Sequence, residues 1–147
     1  MDPFSESISV ISFLESVYGY KARVVIQQDL QSHIRAMFQP PNIITLFNPI
    51  ETTPYHEYGH LLYYKLRRKI RFSVDSETFA QRFSTMWLNL KRTGFVCQRC
   101  GSQKFIPWHH KELKADLQDI NLYCLNCGTA YELNEKEKHK LILHYNP

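Results

Sequence analysis

Two short runs constrain the fold of this chain more than anything else in it: Cys97-Gln98-Arg99-Cys100-Gly101 and Cys124-Leu125-Asn126-Cys127-Gly128. Each is a Cys-x-x-Cys-Gly knuckle, and together they hold all four cysteines of the 147 residues. Four thiolates satisfy a tetrahedral structural zinc, and a glycine after each second cysteine permits the positive φ that closes the knuckle. A redox dithiol needs one pair; two matching pairs separated by 23 residues point to a zinc ribbon ligated by Cys97, Cys100, Cys124 and Cys127. In so short a module the metal supplies much of the folding free energy.

Paired cysteines of this kind hold metal rather than disulfides in a reducing compartment. The run Met1-Asp2-Pro3-Phe4-Ser5-Glu6 lacks the basic and apolar regions of a secretory signal, and no stretch approaches the length of a membrane span. The expectation is a cytoplasmic chain with no membrane contact. Apolar content of 44% and charged content of 22% are those of a globular chain and exclude disorder. A net charge of +4 favours a negatively charged partner without requiring one.

Ahead of the cysteines the pattern alternates between helix and strand. Ile8, Ile11, Leu14 and Val17 recur at helical spacing, with Ser5 or Ser7 as cap and Gly19 as stop. The β-branched run Ala22-Arg23-Val24-Val25-Ile26 predicts a strand. His33 to Phe38 and Ile43 to Phe47, on either side of Pro40-Pro41-Asn42, predict two strands joined by a tight turn. A second helix starts near Thr53, with Thr52 or Thr53 as cap and Pro54 at its first helical position, and runs to about Lys69. A third runs from Asp75 or Ser76 to just before Gly94, with Phe79, Phe83, Met86 and Leu90 on one face. The texture then changes, which sets domains at 1–93 and 94–133 with a tail at 134–147. The apolar part of that tail, Leu141-Ile142-Leu143, suits a short helix or a strand.

The second helix carries His56-Glu57-Tyr58-Gly59-His60. Histidines four apart project from one side about a turn apart, the bite needed for one Zn²⁺, and the glutamate between them reaches the attacking water rather than the metal. Zinc acidifies that water, and Glu57 takes its proton and later hands it to the leaving amine. A third ligand is required, and no histidine follows His60 until His109. Glu77, opening the third helix with Ala80 and Phe83 on its own face, is the candidate; its other reading is an acid favourably placed on the helix dipole. Gly59 costs roughly 1 kcal/mol within a helix, so a close helix–helix approach is the expected reason for it.

The runs His56-Glu57-Tyr58-Gly59-His60-Leu61-Leu62 and Glu77-Thr78-Phe79-Ala80-Gln81-Arg82-Phe83, with Phe47-Asn48 ahead of them, resemble the ImmA/IrrE family of metallopeptidases. The resemblance covers roughly residues 1–93 and implies an α+β, zincin-like domain of helices plus a short, mostly antiparallel sheet. It implies His56, His60 and Glu77 as ligands of a catalytic zinc and Glu57 as general base. Gln81 stands where that family carries an asparagine, and the interval from His60 to Glu77 is short for it. A cysteine ribbon behind such a domain is similar to the arrangement in SprT-like proteases, which use a third histidine with no counterpart at a comparable place here.

The expected function is that of a zinc-dependent endopeptidase with two zinc ions, one catalytic and one structural, cleaving a protein partner such as a DNA-associated regulator. The alternative is an inert zincin-fold adaptor that binds nucleic acid or protein through its ribbon. Tyr63, Tyr64, His109 and His110 are candidate oxyanion or substrate contacts. Arg99, Lys104, Phe105, Trp108, His109, His110 and Lys111 form a candidate nucleic-acid surface, or else pack and dock the ribbon. The basic run Lys65, Arg67, Arg68, Lys69, Arg71 reads as dipole compensation on a solvated face or as a phosphate-backbone patch.

Overall fold

The computed structural model describes residues 2–107, 120–133 and 142–144. The chain divides into two compact units, Met1–Thr85 and Met86–Pro147. The first opens on helix α1, Pro3–Tyr18. Its cap is Asp2 rather than Ser5 or Ser7: the Asp2 carboxylate accepts the Ser5 N–H at 2.9 Å, one turn earlier than the serines suggested. Ser7 is instead buried with Ile11, Leu14 and Tyr18. Gly19, at φ 84°, closes the helix by donating its N–H to the Glu15 carbonyl.

Three strands follow, β1 (Arg23–Ile26), β2 (Ala36–Gln39) and β3 (Ile43–Leu46), in the order β1-β3-β2. β2 and β3 form the expected antiparallel hairpin, with Phe38 opposite Ile44. β1 pairs with β3 in parallel, so this sheet is mixed. β2 starts at Ala36 rather than His33 because the Ser32 hydroxyl takes the Ile34 N–H at 3.1 Å, a local bond that competes with the ladder. Asn48 helps to pin the loop between β1 and β2: its side-chain amide donates to the Leu30 carbonyl at 3.4 Å and its N–H to the Arg35 carbonyl at 3.0 Å. β3 lies at the centre, with Ile44 and Leu46 fully buried, and β2 is an edge. The Arg35 carbonyl also accepts the Phe47 N–H, so antiparallel alternation turns the amides and carbonyls of Ala36 and Phe38 to the outer side of β2.

Helix α2 spans Thr53–Leu66 with Pro54 in its first turn. It stops short of Lys69, because the Lys69 and Ile70 N–H groups both return to the Leu66 carbonyl. Helix α3 spans Ser76–Thr93, capped by Asp75, which accepts the Thr78 N–H at 2.7 Å. Tyr58 ties the helices of the first unit together. Its hydroxyl donates to the Tyr20 carbonyl at 2.7 Å and its ring lies against Tyr18 and Phe83. At Gly59 the helices approach so closely that a Cβ would lie 3.0 Å from Ala80 Cα and 3.2 Å from Phe83 Cβ.

The strands of the second unit are β4 (Phe105–Pro107), β5 (Ile120–Cys124), β6 (Thr129–Leu133) and β7 (Ile142–His144), an antiparallel sheet in chain order. β7 resolves the apolar tail as a strand, with Ile142 opposite Tyr131 and Leu143 opposite Ala130. Phe95, Phe105 and Tyr131 form an aromatic cluster with ring centroids 5.2 to 6.0 Å apart. Among the described residues, no helix is long and apolar enough to cross a membrane.

Gly59→Ala is expected to lower stability despite the better helix propensity of alanine. Overpacking costs typically 1–3 kcal/mol against roughly 1 kcal/mol gained in propensity, a net loss of about 1 kcal/mol measurable by urea unfolding followed by circular dichroism. An unchanged or raised midpoint would show that α2 and α3 do not need their contact at this position.

Candidate active site and metal centres

The middle of α2 and the first turn of α3 meet at one point. His56 Nε2 lies 3.0 Å from Glu77 Oε1, His60 Nε2 lies 3.0 Å from Glu77 Oε2, and the two Nε2 atoms are 3.2 Å apart. Ligands about 2.0–2.1 Å from a tetrahedral ion stand about 3.3 Å from one another, so these donors bracket one small divalent cation with little adjustment. Glu57 lies on the same side, with a carboxylate oxygen within 4.8 Å of a nitrogen of each histidine. Nitrogen and carboxylate donors of this kind suit zinc.

Each ring is held from outside. The Ser76 hydroxyl is 2.7 Å from His60 Nδ1, and the tautomer that donates Nδ1–H to it leaves the Nε2 lone pair free for a metal. The Phe38 ring lies nearly parallel to the His60 ring, 6.5 Å between centroids. Burial, then repulsion from His56, lowers the His60 pKa against the opposing pull of Glu77, and so favours the neutral imidazole that a ligand must be. Glu57 is 8% exposed, and burial followed by the charge of Glu77 raises it to about 7, opposed by the Phe38 backbone amide. A cation among these groups would act in the opposite sense.

An open cleft of about 510 Å³ runs over this cluster, lined by Arg35, Ala36, Met37 and Phe38 along β2 and by His56, Glu57, His60 and Glu77, among others. Its wall on one side is therefore the outer edge of β2. Tyr63 and Tyr64 do not line it. The Tyr63 hydroxyl donates to the Val74 carbonyl at 2.9 Å and its ring stacks on Phe72, so its polar tip is spent on the connection between α2 and α3. Tyr64 lies between Phe38 and the Arg67 guanidinium, which sits 4.1 Å from the ring centroid. Trp108, His109, His110 and Lys111 fall outside the described residues. Ser76, Phe38 and Arg35 belong to the site without any motif to mark them; Ser76 and Glu77 being adjacent at the start of α3 is the nearest thing to a signal.

In the second unit the four thiols converge, Cys97 Sγ 3.5 Å from Cys127 Sγ and Cys100 Sγ 3.6 Å from Cys124 Sγ, all free of disulfides. Sulfurs 2.3 Å from a tetrahedral zinc stand about 3.8 Å apart, so this cluster also fits the ion. The knuckles are matched: Gly101 and Gly128, at φ 76° and 80°, donate to the Cys97 and Cys124 carbonyls. Tyr131 acts behind them. Its hydroxyl accepts the Gln98 N–H at 2.9 Å and so directs its own proton to Cys97 Sγ at 3.3 Å. Burial works to raise the Cys97 thiol, but the Tyr131 hydroxyl and the amides of Cys100 and Arg99 outweigh it and bring it to about 6. Burial pushes Cys124 up to about 12. A cation bound here would offset the burial that opposes ionisation of Cys124. Of the candidate nucleic-acid residues, Arg99 is exposed and Lys104 half-buried, whereas Phe105 is fully buried and packs the ribbon.

Ser76→Ala and Tyr131→Phe are each expected to weaken zinc binding about tenfold at their own cluster and leave the other unchanged, as losses behind metal ligands do. Competition with a chromophoric chelator reads both; unaltered affinities would show that neither hydroxyl positions a ligand.

A scan against protein-family models finds no match, and no curated protein or solved structure matches the chain.

Proposed function

We propose that this chain is a zinc-dependent peptidase of ImmA/IrrE type that works in the cytoplasm on an extended segment of a protein partner, with a structural zinc in its ribbon. The observation that carries the reading is the convergence of His56 Nε2, His60 Nε2 and both Glu77 oxygens within 3.0 to 3.2 Å, beside a buried Glu57 on the wall of one cleft. His56, His60 and Glu77 would hold the catalytic ion, and Cys97, Cys100, Cys124 and Cys127 the structural one. A zinc bound there supplies Lewis acidity, acidifying an attacking water and polarising a scissile carbonyl.

The residues do the rest. Glu57 takes the proton of the attacking water and delivers it to the leaving amine. The outward amide and carbonyl of Ala36, and the carbonyl of Phe38, receive an extended peptide as an added strand, which fixes the scissile bond over the cluster. Arg35 is the cation lining the cleft, and it serves the developing oxyanion; Tyr63 and Tyr64 do not line the cleft, and the Tyr63 hydroxyl is spent on the Val74 carbonyl.

Glu57→Gln tests the reading. The zinc-loaded parent should cleave members of a peptide library followed by mass spectrometry, and the variant should hold the same zinc yet cleave at least about 100-fold more slowly. Equal rates would remove Glu57 from the chemistry. A fully loaded parent that cleaves nothing would favour the inert adaptor.

A further inference from the structure

The connection between α2 and α3 has a feature that the cleft does not use. Lys65, Arg67, Arg68, Lys69 and Arg71 fall within seven positions, and no acidic residue stands between Glu57 and Asp75. A helix C-terminus carries about half a negative charge, so a single cation compensates it and the others repel one another. Among the described residues the acid–base contacts of this kind are those of Glu77 with His56 and His60, so none of these five cations is paired with a described acid.

The connection is nevertheless built to present them. Ile70, Phe72 and Val74 are half-buried while Arg68, Lys69, Arg71 and Ser73 are exposed, an in–out alternation. The inward residues are anchored: Phe72 stacks on Tyr63 at 4.6 Å and lies 5.0 Å from Phe79, and the Val74 carbonyl accepts the Tyr63 hydroxyl. The Arg67 guanidinium sits over the Tyr64 ring, 4.1 Å from its centroid. The anchored turn thus holds Arg68, Lys69 and Arg71 toward solvent.

We propose that this turn is a docking surface for the phosphate backbone of nucleic acid, bound without regard to sequence. Three of the five cations are arginines, whose planar fork pairs with phosphate oxygens in bidentate fashion. A membrane partner is disfavoured because cation patches that hold bilayers add exposed apolar anchors, and the apolar side chains here are turned inward. The surface begins at Lys65, five residues beyond His60, about 7.5 Å along the helix at 1.5 Å per residue, so a nucleic acid bound there lies near the metal cluster. The proposal does not depend on peptidase activity.

The test uses the full zinc-loaded chain and a 20-base-pair DNA duplex, with fluorescence anisotropy read over a salt series. The variant Arg68→Gln, Lys69→Gln, Arg71→Gln is compared with Lys21→Gln, Arg23→Gln, Lys91→Gln, which removes the same charge from exposed positions elsewhere. The turn variant is expected to bind at least tenfold more weakly and to flatten the log–log salt dependence by about 2–3, near 0.9 for each lost phosphate contact, while the matched variant changes less than threefold. Circular dichroism of both variants, matching the parent, ties the loss to charge rather than to fold. Equal losses in the two variants would overturn the proposal, as would a parent that fails to bind the duplex at 50 mM salt. Tighter binding of polyglutamate or of phosphatidylserine vesicles than of the duplex would also overturn it, in favour of an acidic protein or a membrane.

Discussion

The candidate active site depends on how closely α2 and α3 can approach, and a missing side chain sets that approach. With no Cβ at Gly59, the backbone of α3 at Ala80 comes within van der Waals reach of α2, and Phe83 closes the contact from one turn further on. Glu77 lies one turn ahead of Ala80 on the same face, so the contact that joins the helices also delivers its carboxylate to His56 and His60. The start of α3 matters equally. Asp75 caps the helix and places Ser76 against His60 Nδ1. Rotation by one residue, about 100°, would carry both Ser76 and Glu77 away from the imidazoles.

The two clusters share an electrostatic logic. In the first, two carboxylates and two imidazoles crowd one wall of a cleft, and burial with the nearby charge of Glu77 already drives the Glu57 carboxyl up to about 7. In the second, the buried Cys124 resists ionisation while hydrogen bonds from Tyr131 and the knuckle amides favour ionised Cys97. Each arrangement is costly as it stands and becomes favourable around a divalent cation. The supporting groups, Ser76 and Phe38 in one case and Tyr131 with the glycine turns in the other, are where the fold holds the donors in place.

Much of this is legible in the sequence, for particular reasons. The helical spacing of His56 and His60, the proline at the start of α2 and the Glu77–Ala80–Phe83 interval are local patterns, and local patterns survive folding. The knuckles are legible because their chemistry permits few alternatives. The cap of α1 is not, since Ser5 and Ser7 carry equally good oxygens and packing places Ser7 in the interior. Nor is the parallel pairing of β1 with β3, which is set by a loop pinned through Asn48 rather than by either strand's composition. The duties of Tyr63 and Tyr131 depend on partners eleven and thirty-four residues away, Val74 and Cys97, and no spacing announces them.

The central claim is that two imidazoles and one carboxylate, brought together by a helix contact at a glycine, hold a single ion. Anomalous diffraction at the zinc edge from crystals of the zinc-loaded chain tests it most directly. The account predicts two peaks, one among the four cysteines and one about 2 Å from His56 Nε2, His60 Nε2 and a Glu77 oxygen. A peak at the cysteines alone, with the Glu77 carboxylate turned away from both rings, would contradict it.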